Sequence, residues 1–227
     1  ISLRKGAGGG EPGAGLCVME LVSWIDGDDR APDEPTCASP HLTAFAIALN
    51  DSAISAQVRD TMKSLAFALV NTRDAQRERQ RGDYLLRESA HRLLAPLVSE
   101  VGCDAEAHCL ANASTRRDIR QAARTAEAAL SNVARSLTWA NARAAAARLG
   151  EAAGGDRRKA PHALRDSVYC ALTALDDVEA KFALWRDAIA ILVAAIEMGK
   201  HSDANTPLID RTVHRLRELV RMRGASE

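Results

Sequence analysis

The chain has 227 residues, 24.3 kDa, with 30 basic and 30 acidic side chains that cancel. Zero net charge excludes a wholesale nucleic-acid coat or a polybasic membrane binder. The longest unbroken apolar run, Ala188 to Ile196, is too short to span a bilayer. Ala (44) and Leu (24) far outnumber Val (12) and Ile (9), and aromatics make up only 4%. Strong helix formers without β-branched partners predict an all-α fold whose core is closed by small aliphatic groups. In chain order, residues 1–15 read as a flexible leader, because six glycines in ten cannot bury enough surface to order a segment. A first helix is expected over Leu16–Ile25, ended by Asp26-Gly27. Ser39-Pro40 supplies an N-cap and a first-turn proline for a second helix through Leu49. Asn50-Asp51-Ser52 reads as its stop and as the cap of a third, over Ala53–Asn71. The charged stretch Arg73–Asp83 leads into a segment with Leu86, Ala90, Leu93 and Leu97 on one side. Pro96 should kink or end that segment and Gly102 should close it.

The second half carries longer periods. From Ile119 to Ala147 apolar residues recur at steps of four and three, mostly as alanine, which predicts a helix packed close to its neighbour. Glu151–Lys159 reads as a loop. Beyond it, two interleaved heptad series run through Val168, Leu175, Phe182, Ile189, Ile196 and through Leu164, Ala171, Val178, Trp185, Leu192. That wide stripe suits an internal helix of a multi-helix bundle rather than a two-stranded coil. A last helix is expected from Thr206-Pro207, with Ile209, Val213, Leu216 and Val220 against an Arg-rich face. The chain thus divides into the leader, an N-terminal region of short helices (16–102) and a C-terminal bundle of long ones (103–227), or one domain joining the last two. Five cysteines at irregular spacing predict reduced thiols and a cytoplasmic setting rather than a disulfide framework.

The N-terminal third carries a pattern: Cys17-Val18-Met19-Glu20, then Trp24, then Asp33-Glu34-Pro35-Thr36-Cys37 ahead of Pro40, then Asn50-Asp51. It resembles an uncharacterised family common in actinobacterial and phage genomes, with a C-x-M-E … D-x-P-x-C-x-x-P … N-D signature. The resemblance covers roughly residues 15–100 and extends to an Asn71-Thr72-Arg73 turn, where the family places glycine at the first position. No activity is attached to the family, so the resemblance marks Cys17, Glu20, Asp33, Cys37, Asn50, Asp51 and Arg73 as matched positions without assigning chemistry.

Several groups of residues could carry function. Cys17, Glu20 and Trp24 fall at i, i+3 and i+7, one helix face. If that face is buried, Glu20 is either an acid/base beside a catalytic thiol or a carboxylate paired to Arg73 or capping a helix. Asp33, Cys37 and His41, with that pair, offer the thiolate, imidazole and carboxylate ligands that suit zinc or iron, although no C-x-x-C accompanies them. Glu88 and His91 match one half of a di-iron motif whose second half is missing. The faces Arg116, Arg117, Arg120, Arg124 and Arg211, Arg215, Arg217, Arg221, Arg223 could grip nucleic-acid phosphates, without a helix-turn-helix glycine pattern or stacking aromatics to support it. No phosphate loop, nucleophile elbow or dinucleotide fingerprint is present, so no cofactor is assigned. The reading that follows is a helical interaction or scaffold protein within a larger assembly, with a protein partner or a second copy. A metal- or cofactor-binding enzyme built on Cys17, Glu20, Asp33 and Cys37 is the alternative, and a nucleic-acid binder the next.

Overall fold

A computed structural model describes residues 2–6, 15–28, 30–131 and 136–198. Among them the protein is all-α, and the only extended pairing is a parallel bridge between Leu3 and Leu16. In chain order the helices are α1 (Val18–Ile25), α2 (Pro40–Ser52), α3 (Ala56–Asp60), α4 (Lys63–Leu69) and α5 (Glu78–Glu88). A π-helical turn (Ser89–Leu94) joins α5 to α6 (Ala95–Glu100). Then come α7 (Asp104–Ala111), α8 (Arg116–Ser131), α9 (Leu137–Gly154), α10 (Ala160–Ala174) and α11 (Val178–Glu197). Short helices precede long ones, as the composition predicts. No helix among the described residues is long and apolar enough to cross a membrane.

The leader is not loose throughout. Leu3 is buried, and its N–H donates to Asp60 Oδ1 at 2.9 Å. The Arg4 carbonyl accepts from Asn50 Nδ2 at 2.8 Å, and the Gly6 N–H donates to Asp51 Oδ1 at 2.8 Å. α2 does end at Asn50-Asp51-Ser52, as expected, but neither Asn50 nor Asp51 caps the next helix. They sit in the last turn of α2, and their side chains clip residues 4 and 6 to the fold, while Asn50 Oδ1 also accepts the Val18 N–H at 3.3 Å. The cap of α3 is Ser55, which accepts the Val58 N–H at 3.2 Å. Asn50→Ala strands the buried Val18 N–H and the part-buried Arg4 carbonyl, and a buried group left unpaired costs about 1–3 kcal/mol. We expect about 2 kcal/mol of destabilisation in denaturant unfolding and faster proteolysis within residues 2–6.

The single helix expected over Ala53–Asn71 is two, because Thr61 turns its hydroxyl onto the Val58 carbonyl (2.7 Å) and the chain restarts after the buried Met62. Pro96 does not end its helix. It enters at the first turn of α6, and the π-helical turn just before it widens the coil where a proline ring would strike the preceding turn. Gly102 closes the segment as expected: at φ +82° it takes the left-handed position, with its N–H on the Ser99 carbonyl and the Cys103 N–H on the Val98 carbonyl.

In the second half the long periods are interrupted. The Ile119–Ala147 pattern is a hairpin, α8 and α9, restarted by Ser136 capping the Trp139 N–H at 3.1 Å. Ile119, Ala123, Ala126 and Leu130 are buried as expected, but in α9 the buried set is Ala142, Ala145, Ala146, Leu149, Ala152 and Ala153. The phase is reset at the turn, which leaves Ala140 on the surface. The heptad series likewise breaks between α10 and α11, where Asp177 caps the Ala180 N–H at 2.7 Å, and Val178 is exposed while Leu164, Ala171, Trp185 and Leu192 are buried. α9 packs between α8 and α10, and α10 packs on α2. The helix expected from Thr206 and the arginines from Arg211 to Arg223 lie outside the described residues.

Candidate functional site

Cys17 is the N-cap of α1, not a residue of its face. Its sulfur accepts the Glu20 N–H at 3.3 Å, and Glu20 Oε2 accepts the Cys17 N–H at 2.7 Å. This is a capping box with sulfur in the place of the usual hydroxyl. The cap backbone is extended, so the i, i+3, i+7 spacing does not put Cys17, Glu20 and Trp24 in one environment: the first two are buried and Trp24 is 44% exposed. Burial pushes the Cys17 thiol up to about 12, with the Glu20 and Asp33 carboxylates adding to the shift against two backbone hydrogen bonds. A thiol so held is protonated at neutral pH and is a poor nucleophile. An alkylating reagent should therefore modify exposed Cys109 in the folded protein and reach Cys17 only after unfolding, as read by intact mass and peptide mapping.

The proposed metal ligands do not assemble. Among the described residues no group of three or more His, Cys, Asp and Glu side chains is placed to hold a metal ion. Burial raises the Cys37 thiol, as does a hydrogen bond with Asp26, while its carbonyl accepts the Arg73 N–H at 2.9 Å. His41 turns away to α5, where its Nδ1 lies 2.6 Å from Glu78 Oε1. Glu88 pairs with Arg87 (3.3 Å) and His91 Nε2 meets the Ala113 carbonyl (2.7 Å).

His41 belongs instead to a buried polar cluster whose other members the spacing did not single out. Glu78 Oε1 accepts both the His41 ring and the His41 backbone N–H (3.1 Å), and Ser39 Oγ accepts the Leu42 N–H (3.3 Å). With Pro40 lacking a donor, these acceptors satisfy the first turn of α2, and the carboxylate sits at the positive end of that helix. Burial opposes ionisation of Glu78, but hydrogen bonds from His41 and Ser39 outweigh it and hold the carboxyl below its ordinary value. One turn on, Arg81 is only 2% exposed and donates Nη1 to the Thr72 carbonyl. Burial works against its charge, and the carboxylates of Glu78 and Asp74 counter that. Thr72 Oγ1 accepts the Ser39 N–H (3.1 Å) and donates to the Leu69 carbonyl (2.7 Å), tying α4, α2 and α5 together. His41 Nε2 has no partner and rests on Gly82, where an added Cβ would lie 2.7 Å away. With glycine packed against its free nitrogen, the pair acts as an α2 cap rather than as a proton relay. The sequence signal for Arg81 was its place one turn before buried Leu85, on the apolar face of α5.

Concavities lie outside this cluster, one of about 410 Å³ being lined by Arg120, Arg124 and Lys159 with Glu127, Glu151 and Asp156. A cleft of about 210 Å³ runs between α2, the 34–38 loop and the start of α10, and Arg73 is on its wall. The Asn71-Thr72-Arg73 turn is present, with Asn71 left-handed at φ +58°, a conformation asparagine tolerates and glycine favours. A further concavity of about 380 Å³ follows α8 and α9, lined by Leu130, Trp139, Ala140, Ala144 and Ala147 with Glu127, Arg143, Arg148 and Glu151 around them. Trp139 is fixed there by its Nε1–H donating to the Leu130 carbonyl at 2.7 Å. Of the arginines expected to face nucleic acid, Arg116 is committed inside the protein, to Asp83 and to the Ala152 carbonyl. In comparisons with protein-family models, curated proteins and solved structures, nothing matches the chain.

Proposed function

We propose that the chain is a non-catalytic helical interaction protein that assembles through the α8–α9 groove, and that the occupant is a second copy of the same chain. The observation that carries the reading is the groove itself, an apolar floor of alanines beside a half-buried tryptophan. Alanines leave room for a helix backbone to approach closely. Leu137, 65% exposed, opens α9 two residues before the groove's Trp139. Exposed large aliphatics beside an apolar groove mark association surfaces. The groove carries both charge signs: Arg148 and Glu151 pair within the chain at 2.8 Å, and Glu127 and Arg143 supply the opposite charges that an isologous two-fold contact can match. The protonated Cys17 thiol and its use in a cap support the non-catalytic part. The cytoplasmic setting and the family resemblance over residues 15–100 belong to the same proposal. The cytoplasmic setting is supported by five free cysteines, and the resemblance rests on the spacing of its motif residues, two of which, Cys37 and Arg73, are joined by a backbone hydrogen bond.

Sedimentation and native mass spectrometry across a concentration series test it. A concentration-dependent dimer that Ala140→Glu abolishes is the expected result, since residue 140 is exposed and lines the groove. A protein that stays monomeric at every concentration, or a dimer indifferent to Ala140→Glu, overturns it.

A further inference from the structure

We propose that the cleft between α2 and the first turns of α10 is a binding site for a small phosphate-bearing ligand. This inference is independent of the assembly reading. Arginines reach the cleft from two distant parts of the chain: Arg73 from the turn after α4, and Arg158 and Arg165 from either side of the start of α10. His162 adds an imidazole on the same wall, and Glu34 is the one acidic side chain lining it.

The positive charge there is poorly compensated. Arg165 pairs with Asp166 at 3.0 Å, but among the described residues neither Arg73 nor Arg158 forms an ion pair. Arg73 is held in place by backbone: its N–H donates to the Cys37 carbonyl at 2.9 Å and its Nη1 to the Thr36 carbonyl at 3.2 Å. That leaves most of its planar fork unused, the group that recognises oxyanions through paired donors.

A second observation points the same way. Thr43 lines the cleft from α2, is only 5% exposed, and its hydroxyl oxygen has no hydrogen-bond partner. A buried hydroxyl without a partner is costly unless something completes it. The start of α10 adds its positive end, and no side chain caps it. Pro161 removes one of the first-turn donors there, so recognition falls to the guanidinium groups rather than to a nest of backbone N–H groups.

Chemistry and size select the ligand. A carboxylate is filled by one arginine fork, whereas guanidinium groups converging from two directions suit a tetrahedral dianion with oxygens on several sides. The volume, about 210 Å³, holds a phosphate with a few further heavy atoms and not a polymer.

The test is an amide NMR titration with inorganic phosphate against chloride at constant ionic strength, repeated with glycerol 3-phosphate and with acetate. We expect saturable shifts centred on Thr43, Arg73 and His162. Arg73→Gln and Arg158→Gln should each weaken binding about tenfold or more, and Arg117→Gln on α8 should leave it unchanged. Tighter binding of glycerol 3-phosphate assigns a phosphate ester as the ligand, and equal binding assigns free phosphate. Both keep the site. Non-saturating shifts spread over the α8 arginines, wild-type affinity in the Arg73 and Arg158 variants, or acetate binding as tightly as phosphate each overturn it.

Discussion

Arg81→Ala is expected to lower the unfolding free energy by about 3–5 kcal/mol, the sum of truncating a long buried side chain and leaving a buried carbonyl unpaired. The guanidinium is enclosed among α4, α2 and α5, so its removal strands the Thr72 carbonyl and leaves Glu78 with less opposing charge. It also leaves a void the size of a long side chain. Arg81→Met separates these contributions: it refills the volume but not the hydrogen bond, and should recover only part of the loss. Urea unfolding followed by circular dichroism reads both. A loss under about 1 kcal/mol for the alanine variant, typical of a solvated surface arginine, would show that the network does not hold these helices together.

Gly82→Ala is the second large effect, and its sign is a contest. In an exposed helix the change gains about 1 kcal/mol. Here the new methyl would lie 2.7, 2.9 and 3.0 Å from three atoms of the His41 ring, and the ring cannot retreat without leaving Glu78. Overpacking costs about 1–3 kcal/mol and a lost charge-assisted hydrogen bond about 1.5–3, so the sum exceeds the propensity gain. We expect a net loss of about 2–4 kcal/mol. The pH profile carries a second signature. Because Glu78 titrates below its ordinary value in the folded state, its contribution is present above the unfolded value of about 4.3 and is lost as pH falls through the folded value. Stability of the wild type should therefore decline below about pH 4.3, and Gly82→Ala should flatten that decline. A variant as stable as the wild type with the same acid profile would mean the ring is not pinned.

What could be read from the sequence follows from how locally each feature is determined. The start of α2 was legible because Ser39-Pro40 states a cap and a first-turn geometry in two residues. The kind of fold was legible because alanine and leucine dominate everywhere. The phase of α9 was not, because alanine fits buried and exposed positions alike, so a four-three rhythm can be carried across a turn that Ser136 actually breaks. The end of α2 at Asn50-Asp51-Ser52 was legible, but the partners of the first two were not: an amide and a carboxylate at a helix end look like local caps, and only the tertiary fold shows them bonded to residues 4 and 6. The His41–Glu78–Arg81 cluster spans forty positions within a stretch that composition marks as solvated. Periodicity through Leu85 was its single trace.

The alanine seam between α8, α9 and α10 has a consequence for the entropy of folding. Ala123, Ala126, Ala142, Ala145 and Ala146 have no side-chain torsions to freeze, so ordering them costs only backbone freedom, whereas a leucine there would surrender up to about 1 kcal/mol more. Each alanine also contributes less apolar area. The seam is thus a low-cost, low-gain contact that depends on backbone proximity, and its response to substitution is lopsided. Glycine at one of these sites loosens the helices by about the intrinsic propensity difference, while valine, which needs space that does not exist, pushes them apart.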